Sequence, residues 1–252
     1  MKDNTFFVAL KLTLPIFFGY IAIGIPFGLM TVNAGYPWWI SAVMGIFMYT
    51  GAGQYFAIGL FAGGASLAVI VLSQFLLSIR HFFYGLVLIE KYKGTGLYKP
   101  YLIFSITDET FALVSNIKIP QGINKSKLYF FISLFDQIYW VLGSVIGALA
   151  CKILEKYNLS QYLEGVDFAL TALFIVLLIE QIKSSKDRLS ATTGIVCGAI
   201  TVVLYKIGFI SSSNILWIAI LAGLTALFLI RGPAFYKEEK SEAAKNNSDK
   251  TD

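Results

Sequence analysis

Long apolar runs separated by short polar stretches make up most of this chain. A membrane-spanning helix needs about 20 predominantly apolar residues. Eight segments approach that length, near residues 6–30, 37–62, 65–90, 101–117, 128–151, 166–182, 189–210 and 214–231. The pattern predicts an all-α polytopic integral membrane protein with seven or eight transmembrane segments.

The fourth segment is the weakest of the eight. It is short and carries Asp108 and Glu109 at its centre, so it either spans the membrane or re-enters it where protein covers it. If it spans, the distribution of lysine and arginine predicts eight helices with the N-terminus inside. If it re-enters, the same rule predicts seven helices with the N-terminus outside. Both alternatives place the C-terminus in the cytoplasm.

Glycine and proline interrupt the first two segments. Those of the first segment are Gly19, Gly24, Pro26 and Gly28. Small residues of this kind can simply let membrane helices pack closely. In the second segment, the run Gly51-Ala52-Gly53-Gln54 places flexible backbone and a polar amide at mid-segment, an arrangement typical of broken transporter helices whose ends face substrate. We predict broken or re-entrant helices at these places.

The third segment carries an arginine and the only histidine of the chain, Arg80 and His81, side by side. A guanidinium at bilayer depth costs about 2.5–3.5 kcal/mol unless it faces protein, water or a partner charge. A period of 3.6 residues places the polar groups of this helix on one broad face. They are Ser73, Gln74, Ser78, Arg80, His81, Tyr84 and Gly85. This face is either structural, with Arg80 in a fixed ion pair, or the wall of a transport pathway.

Acidic residues at membrane depth supply possible partners for Arg80, since an unpaired carboxylate there would be protonated or expelled. Adjacent helical residues point about 100° apart, so we predict that Asp108 pairs with Arg80 and that Glu109 is the more solvent-facing group. Asp136 in the fifth segment is either an interior group or a residue at the membrane boundary. Glu180, near the end of the sixth segment, is expected to extend to the interface.

Composition agrees with a membrane protein, because 57% of the residues are hydrophobic and only 14% are charged. The net charge of +5 comes from basic loops, which report orientation rather than nucleic-acid binding. Cys151 and Cys197 suggest neither a disulfide framework nor a thiolate metal site. One histidine excludes a multi-histidine metal site, and the common enzyme motifs are missing from the sequence, so we predict no enzymatic activity and no cofactor.

The chain divides into a transmembrane transporter domain, residues 1–236, and a polar tail, residues 237–252. The tail lacks aromatic residues and cannot bury enough apolar surface to order itself, so we predict a disordered cytoplasmic tail. No small-residue cleavage site follows the first segment, which also contains Pro15 and Pro26. We therefore expect no cleaved signal peptide.

Several local patterns, in this order along the chain, resemble the AzlC family, the larger subunits of bacterial branched-chain amino-acid exporters. They are Pro26-Phe27-Gly28, Gly51-Ala52-Gly53-Gln54, Arg80-His81 with Tyr84-Gly85, Thr107-Asp108-Glu109 with Phe111-Ala112, Trp140 with Gly143 and Gly147, and Asp167-Phe168-Ala169-Leu170-Thr171-Ala172-Leu173-Phe174. Together they cover residues from about 15 to 230. The family commonly has asparagine two residues before the Arg-His pair, where this chain has the shorter Ser78.

The resemblance implies a multi-pass protein of the cytoplasmic (inner) cell membrane that exports valine, leucine and isoleucine, with methionine as a further candidate. It also implies a small AzlD-like membrane subunit as partner. The residues expected to bind substrate or line the pathway are Gly51, Gly53, Gln54, Arg80, His81, Tyr84, Asp108 and Glu109.

An amino-acid zwitterion needs separate partners for its carboxylate, its ammonium and its apolar side chain. Half-helix N-termini near Gly28 or Gly53, or Arg80, can accept the carboxylate. Asp108 or Glu109 can accept the ammonium. Gln54 can orient the substrate, and the many phenylalanine and leucine side chains can surround its apolar part.

Export against a gradient needs energy, and the absence of a nucleotide-binding motif from the sequence favours a secondary, proton-coupled mechanism. His81, Asp108 and Glu109 are the candidate proton carriers; histidine has the only side chain with an unperturbed pKa near neutrality. One alternative is a non-conducting scaffold or assembly subunit of a membrane complex. Another is a passive channel, but the sparse, clustered polar residues favour a gated site.

Overall fold

The computed structural model describes residues 4–157 and 188–210, with scattered residues between 175 and 182 and between 215 and 230. The chain forms two compact units, Met1–Phe174 and Ile175–Asp252. Glu180, the motif at residues 167–174 and the tail at residues 237–252 lie outside the described residues. The predictions made for them stay predictions.

The described part of the first unit is built from helices. They are α1 (Thr5–Asn33), α2 (Trp38–Phe47), α3 (Ala52–Ala62), α4 (Leu67–Leu88), α5 (Lys99–Phe104), α6 (Asp108–Asn116) and α7 (Lys125–Lys156), with a 3-10 turn at Gly96–Tyr98 before α5. The second unit contains α8 (Arg188–Lys206). Among the described residues, α1, α4 and α7 are long and apolar enough to cross a membrane. The all-helical membrane class is confirmed, whereas the count of seven or eight spans stays a prediction.

The second apolar segment is broken where its glycines predicted a break. Helix α2 ends at Phe47 and α3 begins at Ala52. In between, Tyr49 has φ +40° and Gly51 has φ +53°, a region that glycine enters freely and other residues rarely adopt. The two halves have 10 and 11 residues, so neither is long enough to cross a bilayer alone.

The fourth apolar segment is also divided into two short helices. Helix α5 has 6 residues and α6 has 9, so neither can span alone. The acidic pair Asp108 and Glu109 occupies the first turn of α6, where the positive end of the helix dipole stabilises carboxylates. Thr107 caps this end, because its side chain accepts a hydrogen bond from the Thr110 amide at 3.3 Å.

The first apolar segment does not break, and the expected half-helix end near Gly28 is wrong. Helix α1 runs continuously from Thr5 to Asn33 with Pro15 and Pro26 inside it. Its glycines instead permit close packing against another helix, which is the alternative role that the sequence analysis gave them.

Helices α1 and α7 touch through glycines spaced four residues apart on each helix. Gly24 of α1 lies against Gly143 of α7, Gly28 lies against Ser144 and Ala148, and Gly147 lies against Ile25. A β-carbon on Gly24 would lie 3.1 Å from the Gly143 backbone, and one on Gly147 would collide with the Ile25 carbonyl. The two backbones are therefore in direct contact, as in small-xxx-small pairs of membrane helices.

Aromatic side chains fill the space beside this contact. The Trp140 ring of α7 stacks on Phe27 at 5.9 Å between centroids and meets Tyr20 edge-on at 5.6 Å. The Tyr55 hydroxyl of α3 donates to the Ile23 carbonyl of α1 at 2.6 Å. These contacts attach the half-helix α3 to α1, and α1 to α7.

Lys91, in the connection after α4, caps the opposite end of α6. Its Nζ donates to the Val114 carbonyl at 2.9 Å and to the Ser115 carbonyl at 2.5 Å. Lys91→Met should therefore destabilise the protein by about 1 kcal/mol, since a cation at a helix C-terminus is lost. The measurement is the melting temperature in detergent.

Lys93→Met is the matched control for Lys91→Met. Lys93 reaches Glu90 at 3.7 Å with both side chains 79% exposed, and surface pairs of this kind contribute little. Equal melting temperatures for the two variants would contradict the capping role of Lys91.

Candidate functional site

The polar face predicted on the third segment is turned toward protein. Ser73 is buried at 1% exposure. The half-buried members are Gln74, Ser78, Arg80, His81, Tyr84 and Gly85. The exposed side chains between them are apolar: Phe75, Ile79, Phe82 and Phe83. The single polar face of α4 is therefore confirmed.

The predicted ion pair between α4 and α6 is present. Arg80 Nη1 lies 2.8 Å from Asp108 Oδ2, and the Tyr84 hydroxyl donates to Asp108 Oδ1 at 2.7 Å. The side chains of Arg80 and Asp108 remain 34% and 33% exposed. The Tyr84 ring also stacks on Phe111, with centroids 4.3 Å apart. Cation, carboxylate and aromatic surface thus meet in one place.

Glu109 does not face solvent more than Asp108 does, and that expectation is wrong. Its Oε2 accepts a hydrogen bond from the Tyr20 hydroxyl of α1 at 2.8 Å. Tyr20 is only 4% exposed, and its hydroxyl also lies 2.6 Å from Thr107 Oγ1. The turn of about 100° between neighbours on α6 sends Asp108 toward α4 and Glu109 toward α1.

His81 lies beside the ion pair. Its Nδ1 is 3.2 Å from the Ser78 carbonyl oxygen, and its ring meets Tyr84 edge-on at 6.0 Å. Among the described residues, neither Asp108 nor Glu109 is a hydrogen-bond partner of this ring. His81 can therefore influence the pair through space or through Tyr84.

The break between α2 and α3 lies against the same face of α4. Gln54 is fully buried, and its Oε1 accepts a hydrogen bond from the Gly51 amide at 3.3 Å. Gln74 Nε2 of α4 donates to the Gly53 carbonyl at 3.0 Å. A β-carbon on Gly53 would lie 2.8 Å from Gln74 Oε1, so glycine is what lets the two side chains and the backbone approach.

Several buried polar atoms around this break have no hydrogen-bond partner within the described part of the chain. They are Thr50 Oγ1, Gln54 Nε2, Ser73 Oγ and Gln74 Oε1. Buried polar groups in proteins nearly always find a partner, and the N-terminus of a helix favours an anion. The break can therefore bind a polar group through these unpartnered hydroxyl and amide atoms.

Two half-helix N-termini, of α3 and of α6, thus lie along one face of α4. Gln74 contacts the first and Arg80 contacts the second. Gln74 and Arg80 are six positions apart, which corresponds to about 9 Å along the helix axis. The structure places the predicted residues in two clusters along α4. Gly51, Gly53 and Gln54 form one, and Arg80, His81, Tyr84 and Asp108 form the other, with Glu109 turned toward α1.

The sequence profile of the family described as AzlC protein matches residues 15–154. The chain belongs to the AzlC family. The matched range contains both clusters of the candidate site.

Relatives of the chain are membrane proteins by name. A protein of Bacillus subtilis strain 168 named branched-chain amino acid transport protein AzlC is 31% identical over 94% of this chain and 87% of its own length. An uncharacterized membrane protein of Helicobacter pylori strain J99 is 34% identical over 87% of this chain and 92% of its own. The inner membrane protein YgaZ of Escherichia coli K12 is 29% identical over 87% of this chain and 86% of its own.

No solved structure matches the chain. Family membership and the Bacillus relative support a role in membrane transport. A family of transport proteins also agrees with the expectation that the chain is not an enzyme.

Two residues of this AzlC-family core were missed as site residues by sequence reasoning. In the sequence, Tyr20 is one of many aromatic residues in apolar segments. The only signal is that a buried tyrosine hydroxyl usually has a hydrogen-bond partner. The sequence does not distinguish Thr110 from other helix residues. In the structure, its Oγ1 donates a hydrogen bond to Asp136 Oδ2 at 2.6 Å. Asp136 is 0% exposed, so of its two predicted positions the interior one is correct.

Proposed function

We propose that this chain is the large subunit of a secondary transporter that exports branched-chain amino acids across the cytoplasmic membrane, together with a small AzlD-like subunit. The observation that carries the proposal is the Arg80–Asp108 pair, with its two charges 2.8 Å apart and partly accessible. The Bacillus relative, named for branched-chain amino acid transport, supports the substrate class. Residues 1–236 form the transporter domain, and residues 237–252 form a cytoplasmic tail.

The ion pair suits a zwitterion because the ammonium and carboxylate of an amino acid are attached to the same carbon. A carboxylate at Gly53 and an ammonium at Asp108 would be too far apart, since the two clusters are separated by about 9 Å along α4. The substrate instead inserts between the paired side chains, with its carboxylate on Arg80 and its ammonium on Asp108. Arginine suits this role because its planar fork binds carboxylates in a bidentate manner.

The apolar side chain of the substrate is placed on the aromatic pair beside these charges. The Tyr84 and Phe111 rings stack 4.3 Å apart and are half-buried. They offer apolar surface next to Asp108, because the Tyr84 hydroxyl holds that carboxylate. Contact of a branched side chain with this surface contributes roughly 25 cal/mol per Å² of apolar area removed from water.

The break at Gly51, Gly53 and Gln54 is a second substrate-binding position. We call the Arg80–Asp108 pair the first station of the pathway and this break the second station. The unpartnered Gln54 Nε2 and Thr50 Oγ1 can donate hydrogen bonds to the carboxylate once it leaves Arg80. Movement between the stations follows the polar face of α4. Proton coupling is assigned to the ionisable groups beside the first station: His81, Asp108 and Glu109.

Counterflow of radiolabelled valine, leucine, isoleucine and methionine in proteoliposomes, over a range of pH, tests this function. With both subunits present, we expect counterflow of the three branched substrates and a rate that depends on pH. Methionine, which lacks the branch, should exchange more slowly.

The arms of this experiment separate the competing functions. Exchange by this chain without its partner would eliminate the scaffold function. A passive channel would give flux without counterflow. Absence of exchange with both subunits present would overturn the proposed transport of these amino acids.

A further inference from the structure

A continuous chain of hydrogen bonds joins two buried carboxyl groups, Glu109 of α6 and Asp136 of α7. Glu109 Oε2 lies 2.8 Å from the Tyr20 hydroxyl, which lies 2.6 Å from Thr107 Oγ1. Thr107 Oγ1 lies 3.0 Å from Thr110 Oγ1, which lies 2.6 Å from Asp136 Oδ2. All four distances are in the hydrogen-bonding range. We call this set of five residues the relay.

The relay contains more hydrogen bonds than its hydroxyl groups can supply. Four hydrogen bonds need four hydrogen atoms, and each of the three hydroxyls carries only one. The fourth hydrogen must come from a carboxyl group at one end. The oxygen positions define the bonds and allow the hydrogens to run in either direction. When all four bonds form at once, one of the two carboxyl groups is therefore protonated.

The surroundings of Asp136 also favour a bound proton. Its side chain is 0% exposed, and its Oδ1 has no hydrogen-bond partner among the described residues. A buried carboxylate without a counter-charge is strongly unfavourable. The described ionisable group that acts on it electrostatically is Glu109, another acid.

We propose that Glu109 and Asp136 share one proton, which moves between them through the hydroxyls of Tyr20, Thr107 and Thr110. When Glu109 is protonated, each group donates to the next, and Asp136 is the final acceptor. Transfer moves one hydrogen across each bond, so Asp136 gains a proton, Glu109 becomes a carboxylate, and every hydroxyl keeps one hydrogen with its direction reversed. No other reactant is required.

The role of this proton in coupling rests on the proposed function, whereas its presence does not. Glu109 adjoins Asp108, where the substrate ammonium is placed. A positive charge arriving at Asp108 favours the carboxylate form of Glu109, which sends the proton to Asp136. Departure of the substrate reverses the transfer. The relay thus makes Asp136 a proton-binding site that responds to substrate.

Infrared spectroscopy of the purified full-length protein tests the shared proton without any transport assay. We expect the C=O stretching band of a protonated carboxylic acid in the wild type near neutral pH, and its loss in the double variant Glu109→Gln/Asp136→Asn. Ser133→Ala is the matched control, since Ser133 is a buried residue one turn away on α7 and outside the relay. Its band should be unchanged. Spectra in which the wild type and the double variant do not differ would overturn the proposal.

Reconstituted protein with its partner subunit tests the role in coupling. Asp136→Asn should lose accumulation driven by a pH gradient, while counterflow, which needs no net proton movement, continues. Thr110→Val, which removes one hydroxyl of the relay, should slow gradient-driven accumulation, and Thr110→Ser should restore it. Ser133→Ala should behave as wild type in both assays.

The outcomes of the two experiments are distinguishable. Gradient-driven accumulation that persists at the wild-type level in Asp136→Asn contradicts the coupling role. A wild type that exchanges substrate without responding to a pH gradient contradicts it as well. If the wild type does not exchange substrate at all, the proposed function fails, and the infrared band still decides whether the proton is shared.

Discussion

Replacing Arg80 by alanine should abolish exchange of branched-chain amino acids. The variant removes the group that receives the substrate carboxylate and leaves the Asp108 carboxylate without its cation. Loss of a charged partner also destabilises the fold, by about 1–3 kcal/mol for a buried group. The lower end applies here, because both side chains are about a third exposed. Arg80→Lys should recover stability better than exchange, since lysine keeps the charge without the planar fork.

The double variant Arg80→Gln/Asp108→Asn separates binding from a purely structural role. It removes both charges together, so we expect its melting temperature to return close to that of the wild type while exchange stays absent. Ile79→Ala is the control for shortening a side chain of α4, because Ile79 lies on the exposed face at 44% exposure. A double variant that exchanges substrate normally would show that the pair only holds α4 and α6 together.

Gly147→Ala should strongly impair accumulation of the protein in the membrane. The added methyl group would collide with the Ile25 carbonyl of α1. The methyl group is fixed to the backbone of α7, and the atoms it meets are backbone atoms that cannot rotate away. Overpacking costs typically about 1–3 kcal/mol, and separating α1 from α7 also loosens the aromatic packing around Trp140. The measurement is the yield of monodisperse protein and its melting temperature in detergent.

Gly19→Ala provides the matched control, since Gly19 lies in the same kind of helix interior. A β-carbon there meets no atom within 4 Å. Replacing such a glycine by alanine usually stabilises a helix by about 0.4–1 kcal/mol. The two variants should therefore change stability in opposite directions. Similar melting temperatures for both would contradict the backbone contact between α1 and α7.

Local patterns in the sequence predicted the features that depend on one segment. The polar face of α4 follows from its helical period, and the break before α3 follows from Gly51 and Gly53. The pairing of Arg80 with Asp108 was predictable because few charges lie at membrane depth, and a cation there needs a partner.

The features that depend on a distant segment were not predictable in this way. Glu109 turns inward because of Tyr20, which is 89 positions away, and a periodic pattern does not report that separation. The glycines of α1 are compatible with either a broken helix or a closely packed one. Only their position in the fold, next to the helix that carries Gly143 and Gly147, decides between the two. The position of Asp136, either interior or at the membrane boundary, was also left open by the sequence, because its surroundings include a distant segment, α6.

The glycine contact between α1 and α7 has a consequence for the geometry of the relay. Direct backbone contact makes these two helices a single stiff support that carries Tyr20 and Asp136 at fixed positions. The intervening hydroxyls belong to Thr110 of the short α6 and to Thr107, which caps it, and the glycine contact holds neither residue. A displacement of α6 by about 1 Å lengthens the 2.6 Å links to Tyr20 and Asp136 beyond hydrogen-bonding distance. The relay therefore joins Glu109 to Asp136 only while α6 stays in place between α1 and α7.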